Sequence, residues 1–269
     1  MTAGSYDEAS ARRYAAAEAR PDSFANRLAP RILRTVTTTK NPSIRVLDIG
    51  AGTGQLADAL RAAGHLTVAV DYSIPMLQHR SKLWSGSLGS AVAADAAHLP
   101  LHGSFDLITA TFNVLNHLPS RDSVKSTVAE VARLLAKDGL FIFDINTRLG
   151  LEQTQSLTVI EDTKDSQTHW SRHWLNSETL RLSASGKFRE GGVWHSYDEL
   201  IDKIVLPVSW LEETLSAAGL GNITWVSDDL VTPLDEPEAH AVAFGLARPG
   251  LHCTAIGLNC FSTRQGGVQ

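Results

Sequence analysis

Val46-Leu47-Asp48-Ile49-Gly50-Ala51-Gly52-Thr53-Gly54 is a short apolar strand that runs into three alternate glycines. A helical pattern follows at once, with Leu56, Ala59, Leu60 and Ala63 on one stripe and Gly64 placed to stop it. Strand, glycine turn and helix are the means by which an α/β sheet brings backbone against a ligand. The turn also exposes the first N–H groups of a helix, which suit a polar or anionic partner. Asp48 narrows the choice, because a carboxylate just before the glycines would repel a pyrophosphate. The turn therefore suits a ligand that lacks phosphates or carries a positive centre. Its glycines are also one residue short of the G-x-G-x-x-G spacing, which disfavours a nicotinamide or flavin dinucleotide enzyme.

Apolar runs at Leu66 to Val70, Ser90 to Ala94, Phe105 to Thr111 and Leu140 to Ile145 read as further strands. Helical stretches separate them. One spans Ile74 to Leu83 with Pro75 in its first turn; another is capped by Ser120, carries Val124, Val128, Val131 and Leu135 on its apolar stripe, and ends at Asp138-Gly139. This alternation over Ile44 to Ile145 predicts a parallel sheet with right-handed crossovers. Ahead of it, Ser5 to Thr35 reads as two helical pieces broken at Pro21 and Pro30.

Beyond Ile145 the period changes. Thr158 to Leu206 runs in twos, with Leu180, Leu182 and Ala184 alternating with Arg181 and Ser183. Turn signals at Asn176-Ser177 and Gly191-Gly192 predict an antiparallel insertion of three or four strands. The helical signal then returns: Ser209 with Glu212 reads as a capping box ahead of Leu211, Leu215 and Ala218, closed by Gly219. Asn222 to Val226 and Ala241 to Leu246 are the expected last strands.

The 269 residues carry a net charge of −5, which argues against a nucleic-acid partner. No stretch is apolar for long enough to span a bilayer, and the polar Met1 to Ala11 does not read as a signal peptide. Cys253 and Cys260 are the two cysteines, too few for a disulfide framework and poorly spaced for zinc. A reducing cytoplasm is the expected setting.

Asp48 to Gly54, with Asp71 ending the next strand, resembles motif I and its acidic partner in class I S-adenosylmethionine-dependent methyltransferases. Three further pieces agree in order: Ala94-Asp95-Ala96, Phe105-Asp106-Leu107-Ile108, and Leu134-Leu135-Ala136-Lys137-Asp138-Gly139-Leu140. The resemblance covers Ile44 to Thr147 and, more loosely, the last helix and two strands. It implies a Rossmann-like α/β fold with a seven-stranded methyltransferase sheet, and S-adenosyl-L-methionine as cofactor; no metal is expected, because His169 and His173 have no evident third ligand. Asp71 would then accept both ribose hydroxyls, and Tyr72, Ile74 or Met76 would flank the adenine. Asp95 would accept from the adenine amino group while the Ala96 N–H faces a ring nitrogen. Gly50, Ala51 and Gly52 would bring backbone to the ligand, Asp48 would sit near the methionine ammonium, and the backbone of Thr111, Phe112 and Asn113 would hold the methionine end. The insertion after the fifth strand is similar in arrangement to that of amino-sugar N-methyltransferases of natural-product pathways. The expected divisions are a helical lid over 1–40, a cofactor-binding core over 41–150, the insertion over 151–207 as substrate roof or dimer contact, the end of the core over 208–248, and a tail over 249–269.

The expected reaction is in-line methyl transfer to nitrogen or oxygen of a small molecule. His117, on the loop leaving the fourth strand, is the candidate base. Tyr6 and Tyr14 would belong to the lid with Arg12 and Arg13, although a solvated helix face also explains the arginines. Asn116 would orient substrate. Trp170, Trp194 and His195 would roof it, with Trp170 and Trp174 on one strand face and His169 and His173 on the other. Ordinary sheet packing is the alternative for each. Two other readings stay open: a non-methylating reaction of the same cofactor such as cyclisation, and a cofactor-binding module without turnover.

Overall fold

The computed structural model describes residues 6–18, 23–36, 43–79, 89–154 and 159–250. The chain begins with helices α1 (Glu8–Glu18) and α2 (Phe24–Val36) and then enters an alternating run. The run comprises β1 (Arg45–Ile49), α3 (Gln55–Ala62), β2 (Leu66–Asp71), α4 (Ile74–Gln78), β3 (Gly89–Ala93), β4 (Phe105–Ala110), α5 (Val114–His117), α6 (Arg121–Leu134) and β5 (Leu135–Asn146). Next come α7 (Arg148–Thr154) and the strands β6 (Val159–Asp162), β7 (Ser166–Asn176), β8 (Thr179–Glu190) and β9 (Val193–Ile204). Helix α8 (Val208–Ala217) leads into β10 (Asn222–Val226) and β11 (Val242–Arg248).

Seven strands form one sheet in the order β10-β11-β5-β4-β1-β2-β3. Pairings are parallel except those of β11, which runs antiparallel to both neighbours. Strand order reverses between β1 and β4, and a ligand crevice is expected at the carboxyl ends of the strands there. Period-two alternation divides the core between the two faces. Ile108, Phe141, Phe143 and Ile145 pack with Val124, Val128 and Val131 of α6 and Leu211 and Leu215 of α8 on one side. Leu107, Leu140 and Ile142 pack with Leu28, Ile32 and Val36 of α2 and Leu56 and Leu60 of α3 on the other.

The predicted insertion is a second sheet, β6-β7-β8-β9, wholly antiparallel, with its tight turns at the Asn-Ser and Gly-Gly signals. It is fastened to the main sheet through Asn116. That side-chain amide donates to the backbone oxygens of Asn146 and Ile204, and its oxygen accepts from the Asn146 N–H.

Several boundaries differ from expectation. Pro30 does not break α2, because the burial of Leu28, Ile32 and Val36 outweighs the roughly 3 kcal/mol of a proline inside a helix. Helix α6 ends at Leu134; Leu135 turns extended and pairs with Phe105, so β5 starts five residues before Leu140. The capping box at Ser209 does not form. Pro207 holds the cap position, the Val208 N–H donates to Glu238, and Glu212 accepts from the Trp225 indole instead. Pro21, the far half of the helix expected to Leu83, and the tail with Cys253 and Cys260 lie outside the described residues.

Candidate active site

A cavity of about 490 Å³ opens at the carboxyl ends of β1 to β4, beneath α1 and the inner face of β9. That size is ordinary for a small-molecule site. One end of it is built by strand termini. Gly50 and Gly52 hold left-handed conformations, φ +66° and +57°. A side chain at Gly50 would meet Val114 at 2.4 Å, so the loop after β4 lies directly on the glycine turn. A side chain at Gly52 would point at the Tyr14 ring, 3.7 Å away, which makes this glycine part of a cradle.

Asp71 stands at the end of β2, where its two carboxylate oxygens accept from the Gly52 and Ser73 N–H groups at 2.8 Å each. The carboxylate also faces the Tyr72 N–H and lines the cavity, so it can still accept from a hydroxyl of a bound molecule. Burial pushes this carboxyl above its usual range, against the pull of those backbone bonds. Tyr72, Met76, Asp95 and Ala96 complete this end. Met76 is buried and Tyr72 stands exposed.

The loop after β4 is strained. Phe112 and Asn113 are consecutive left-handed residues, φ +71° and +51°, a conformation that costs about 1–2 kcal/mol per residue. Their N–H groups both donate to Asp144, the Asn113 bond measuring 2.9 Å. Phe112 packs edge-on against Tyr14 and Phe24, tying the loop to the N-terminal helices.

The opposite end holds the polar groups. Lys203 donates to the side-chain oxygens of Asn113 at 2.7 Å and Asn146 at 2.8 Å. An ammonium can only donate, so the Asn113 atom facing it is oxygen. The same oxygen lies 3.1 Å from Nε2 of His117, which must therefore carry the ring proton. Desolvation and the Lys203 charge hold His117 well below its usual pKa, so the ring is neutral and Nδ1 is an acceptor. The Tyr6 hydroxyl donates to it across 2.6 Å. Desolvation first, then the Glu199 and Asp71 charges, keep the Tyr6 hydroxyl protonated.

Helix α1 is fixed over the cavity at several points. Arg13 pairs with the buried Glu199 of β9 at 2.6 Å and lies over the rings of Trp170 and Tyr197. The Tyr6 carbonyl accepts from Ser73, and Glu8 meets His79.

Of the residues expected at the site, Tyr6, Tyr14, Gly50, Gly52, Asp71, Tyr72, Met76, Asp95, Ala96, Phe112, Asn113, His117 and Trp170 line the cavity. Asp48, Ala51, Thr111, Asn116, Trp194 and His195 are not among its lining residues. Asp48 is buried behind the turn, where it accepts from the Thr109 hydroxyl and is pushed up to about 7 by desolvation. The Ala51 N–H is spent on the Val70 carbonyl, Thr111 is buried, and Asn116 is the tie between the sheets. Trp194 points outward under Lys187, and His195 stacks on Phe188. Alternation identifies the inner face of β9 but not how far along it the cavity reaches. Both residues sit at the hairpin end, four or more residues from Glu199, about 13 Å at strand spacing. Glu199, Ile201 and Lys203, which do line the cavity, were legible only as an alternation running on from Tyr197. Arg13, expected in the lid beside Arg12, lines the cavity; Arg12 does not, and no sequence signal separates the two.

Among the described residues no group of three His, Cys, Asp or Glu side chains forms a metal-binding cluster, and no helix is long and apolar enough to cross a membrane.

Residues 47–143 match the family described as a methyltransferase domain. Over 125 residues the chain is 37% identical to the malonyl-[acyl-carrier protein] O-methyltransferase of Geobacter sulfurreducens, a stretch covering 44% of each protein. In three dimensions it is similar to an S-adenosylmethionine-dependent methyltransferase from Clostridium acetobutylicum, with a TM-score of 0.77 at 23% identity over 86% of this chain and 94% of that one. It is also similar to an amino pentose methyltransferase from Micromonospora echinaspora, at a TM-score of 0.67 and 16% identity over 88% and 96% of the two chains. Sheet order and glycine turn are those of the Rossmann-like methyltransferase fold, here with an antiparallel insertion, and residues 47–143 carry the methyltransferase domain. The chain is an S-adenosylmethionine-dependent methyltransferase, and S-adenosyl-L-methionine is its cofactor.

Proposed function

We propose that this enzyme transfers a methyl group to a nitrogen or oxygen of a small molecule held at the His117–Lys203 end of the cavity. The observation that carries the reading is the continuity of one cavity. It runs from a diol acceptor and flat-ring flanks at Asp71, Tyr72 and Met76 to a polar, aromatic-walled end at Tyr6, His117, Trp170 and Glu199. The similarity of fold to an enzyme named for an amino pentose supports a small-molecule acceptor of the kind found in natural-product biosynthesis.

Asp71 would hold the ribose hydroxyls, Met76 and Tyr72 the adenine faces, and Asp95 with the Ala96 N–H the adenine edge. The Gly50–Gly52 turn, Tyr14 and the Phe112–Asn113 loop would hold the amino acid end. When bound, S-adenosylmethionine supplies a methyl group on a sulfonium, open to in-line attack. Much of the rate then comes from placement and exclusion of water, which α1, Trp170 and Leu182 provide.

His117 is the candidate base, but both its ring nitrogens are already engaged. A proton leaving the acceptor would therefore pass to the Tyr6 oxygen as the Tyr6 proton moves to Nδ1, leaving an imidazolium. The direct test is product analysis with a panel of amine and hydroxyl acceptors. Methyl transfer yields S-adenosylhomocysteine in step with methylated acceptor. Turnover that yields another nucleoside, or saturable cofactor binding without any turnover, would refute this reading.

A further inference from the structure

Strand β9 presents Glu199, Ile201 and Lys203 to the cavity in sequence: carboxylate, aliphatic, ammonium. Glu199 is already neutralised by Arg13. Lys203 is not matched in the same way. Its two bonded acceptors are the neutral amide oxygens of Asn113 and Asn146, which leaves the third N–H of the ammonium without a bonded acceptor. The carboxyl group nearest in charge, Asp144, spends one oxygen on the Phe112 and Asn113 backbone, and burial pushes it up to about 7, so it is a poor counter-ion. Arg172 adds a second positive charge nearby, and the Lys203 ammonium is itself pushed down to about 8 by burial. Among the lining side chains at this end, Arg13 and Lys203 against Glu199 leave an excess of positive charge, next to the place proposed for a cationic methyl donor.

We infer that the methyl acceptor carries a carboxylate, bound by Lys203, on a small apolar or aromatic body that packs against Leu182, Ile201 and Trp170. Charge matching in a desolvated cavity favours such an acceptor, because a cationic one would bring a further positive charge beside the ammonium and the donor. A carboxylate supplies the missing acceptor as a charge-assisted hydrogen bond, and the aliphatic and indole walls accept the remainder. The inference rests on the reading of the cavity as a joint cofactor and acceptor site.

The test is calorimetric titration of the protein, saturated with S-adenosylhomocysteine, with benzoate, benzamide and benzylammonium. Benzoate should bind at least about tenfold more tightly than benzamide, and Lys203→Met should bring the two within about twofold. Lys203→Arg should retain part of the preference. Nuclear magnetic resonance of the Lys203 side chain in the unmutated protein gives a second readout: benzoate, and not benzamide, should raise its titration midpoint. Equal affinity for benzoate and benzamide, no saturable binding of any probe, tightest binding of benzylammonium, or a benzoate preference that survives Lys203→Met would each overturn the inference. Failure of S-adenosylhomocysteine itself to bind would instead overturn the reading of the cavity, so the two failures are distinct.

Discussion

The Tyr6 hydroxyl and Nδ1 of His117, 2.6 Å apart, join the segment leading into α1 to the short helix after β4, 111 residues further along. The bond has two consequences. It closes one corner of the cavity, and it leaves the imidazole with no free nitrogen for an acceptor to meet directly. Lys203 fixes this arrangement from the other side, since its bond to Asn113 determines which ring nitrogen of His117 bears the proton. An element of the insertion thereby sets the tautomer of a residue on the core.

Tyr6→Phe should leave affinity for S-adenosylhomocysteine within about threefold while lowering kcat for a hydroxyl or ammonium acceptor by about a hundredfold. His117→Ala should lower kcat similarly. Because the His117 pKa lies well below its usual value, the basic form persists, and the wild-type rate should stay level as pH falls through 6.5. Steady-state kinetics across pH check both statements. A wild-type rate that falls with a midpoint at or above 6.5, and loses that midpoint in His117→Ala, would contradict the assigned protonation state.

Asp71→Ala should reduce S-adenosylhomocysteine affinity at least about a hundredfold by calorimetry. The substitution removes the carboxylate proposed to accept the ribose diol and also strands the Gly52 and Ser73 N–H groups. Asp71→Asn keeps one acceptor oxygen and should fall between. Unchanged affinity in both variants would remove Asp71 from the ribose site.

Asp48 makes stability depend on pH. Its folded-state pKa is raised from 3.8 to about 7, so the folded protein retains a proton that the unfolded chain has released. The stabilisation belonging to that proton is complete below the unfolded value and is lost as pH rises through about 7. Asp48→Asn keeps an acceptor for the Thr109 hydroxyl and does not ionise. Its Tm, relative to wild type, should rise by about 3 °C or more between pH 5 and pH 8 in thermal melts. A difference that stays flat over that interval would refute the assignment.

Gly50→Ala should destabilise the protein by about 1–3 kcal/mol, from a left-handed backbone that resists a side chain and a methyl group forced against Val114. Val114→Ala in the same chain should recover the steric part but not the backbone part. Denaturant unfolding of the single and double variants separates the two.

Glu199→Gln leaves the Arg13 guanidinium without its charge partner in a mostly buried position. Removing one member of such a pair is strongly destabilising, and here the loss falls on the docking of α1. Amide exchange over 11–16 should quicken by at least roughly tenfold, with α6 and β5 little changed. Uniform loss of protection would place the pair in global stability instead.

Much of the fold was readable because it depends on local pattern. The strand ending at Ile49, the glycines, Asp71 at the next strand end and the Ser120 cap are each specified within a few residues, and all four stand where they were expected. The misread boundaries have a common cause. Leu135 left its helix to pair with Phe105, and Glu212 accepted from the Trp225 indole rather than from the Ser209 N–H; in both, a partner more distant in sequence displaced the local one. Acceptor-side residues were harder for the same reason. Trp194 and His195 have the composition of a pocket but lie at the wrong end of β9, while Arg13 and Lys203 look like surface charges until α1 and β9 enclose them.

The sequence by itself determined the sheet, the glycine turn, the acidic strand ends and hence the methyl donor, because periodicity, φ preference and short-range spacing are written in neighbouring residues. Only the tertiary structure decided which side chains share the cavity, which nitrogen of His117 carries a proton, and that Lys203 stands there with one donor unmatched. Those outcomes depend on desolvation and on contacts between segments as far apart as Arg13 and Glu199, 186 positions apart along the chain.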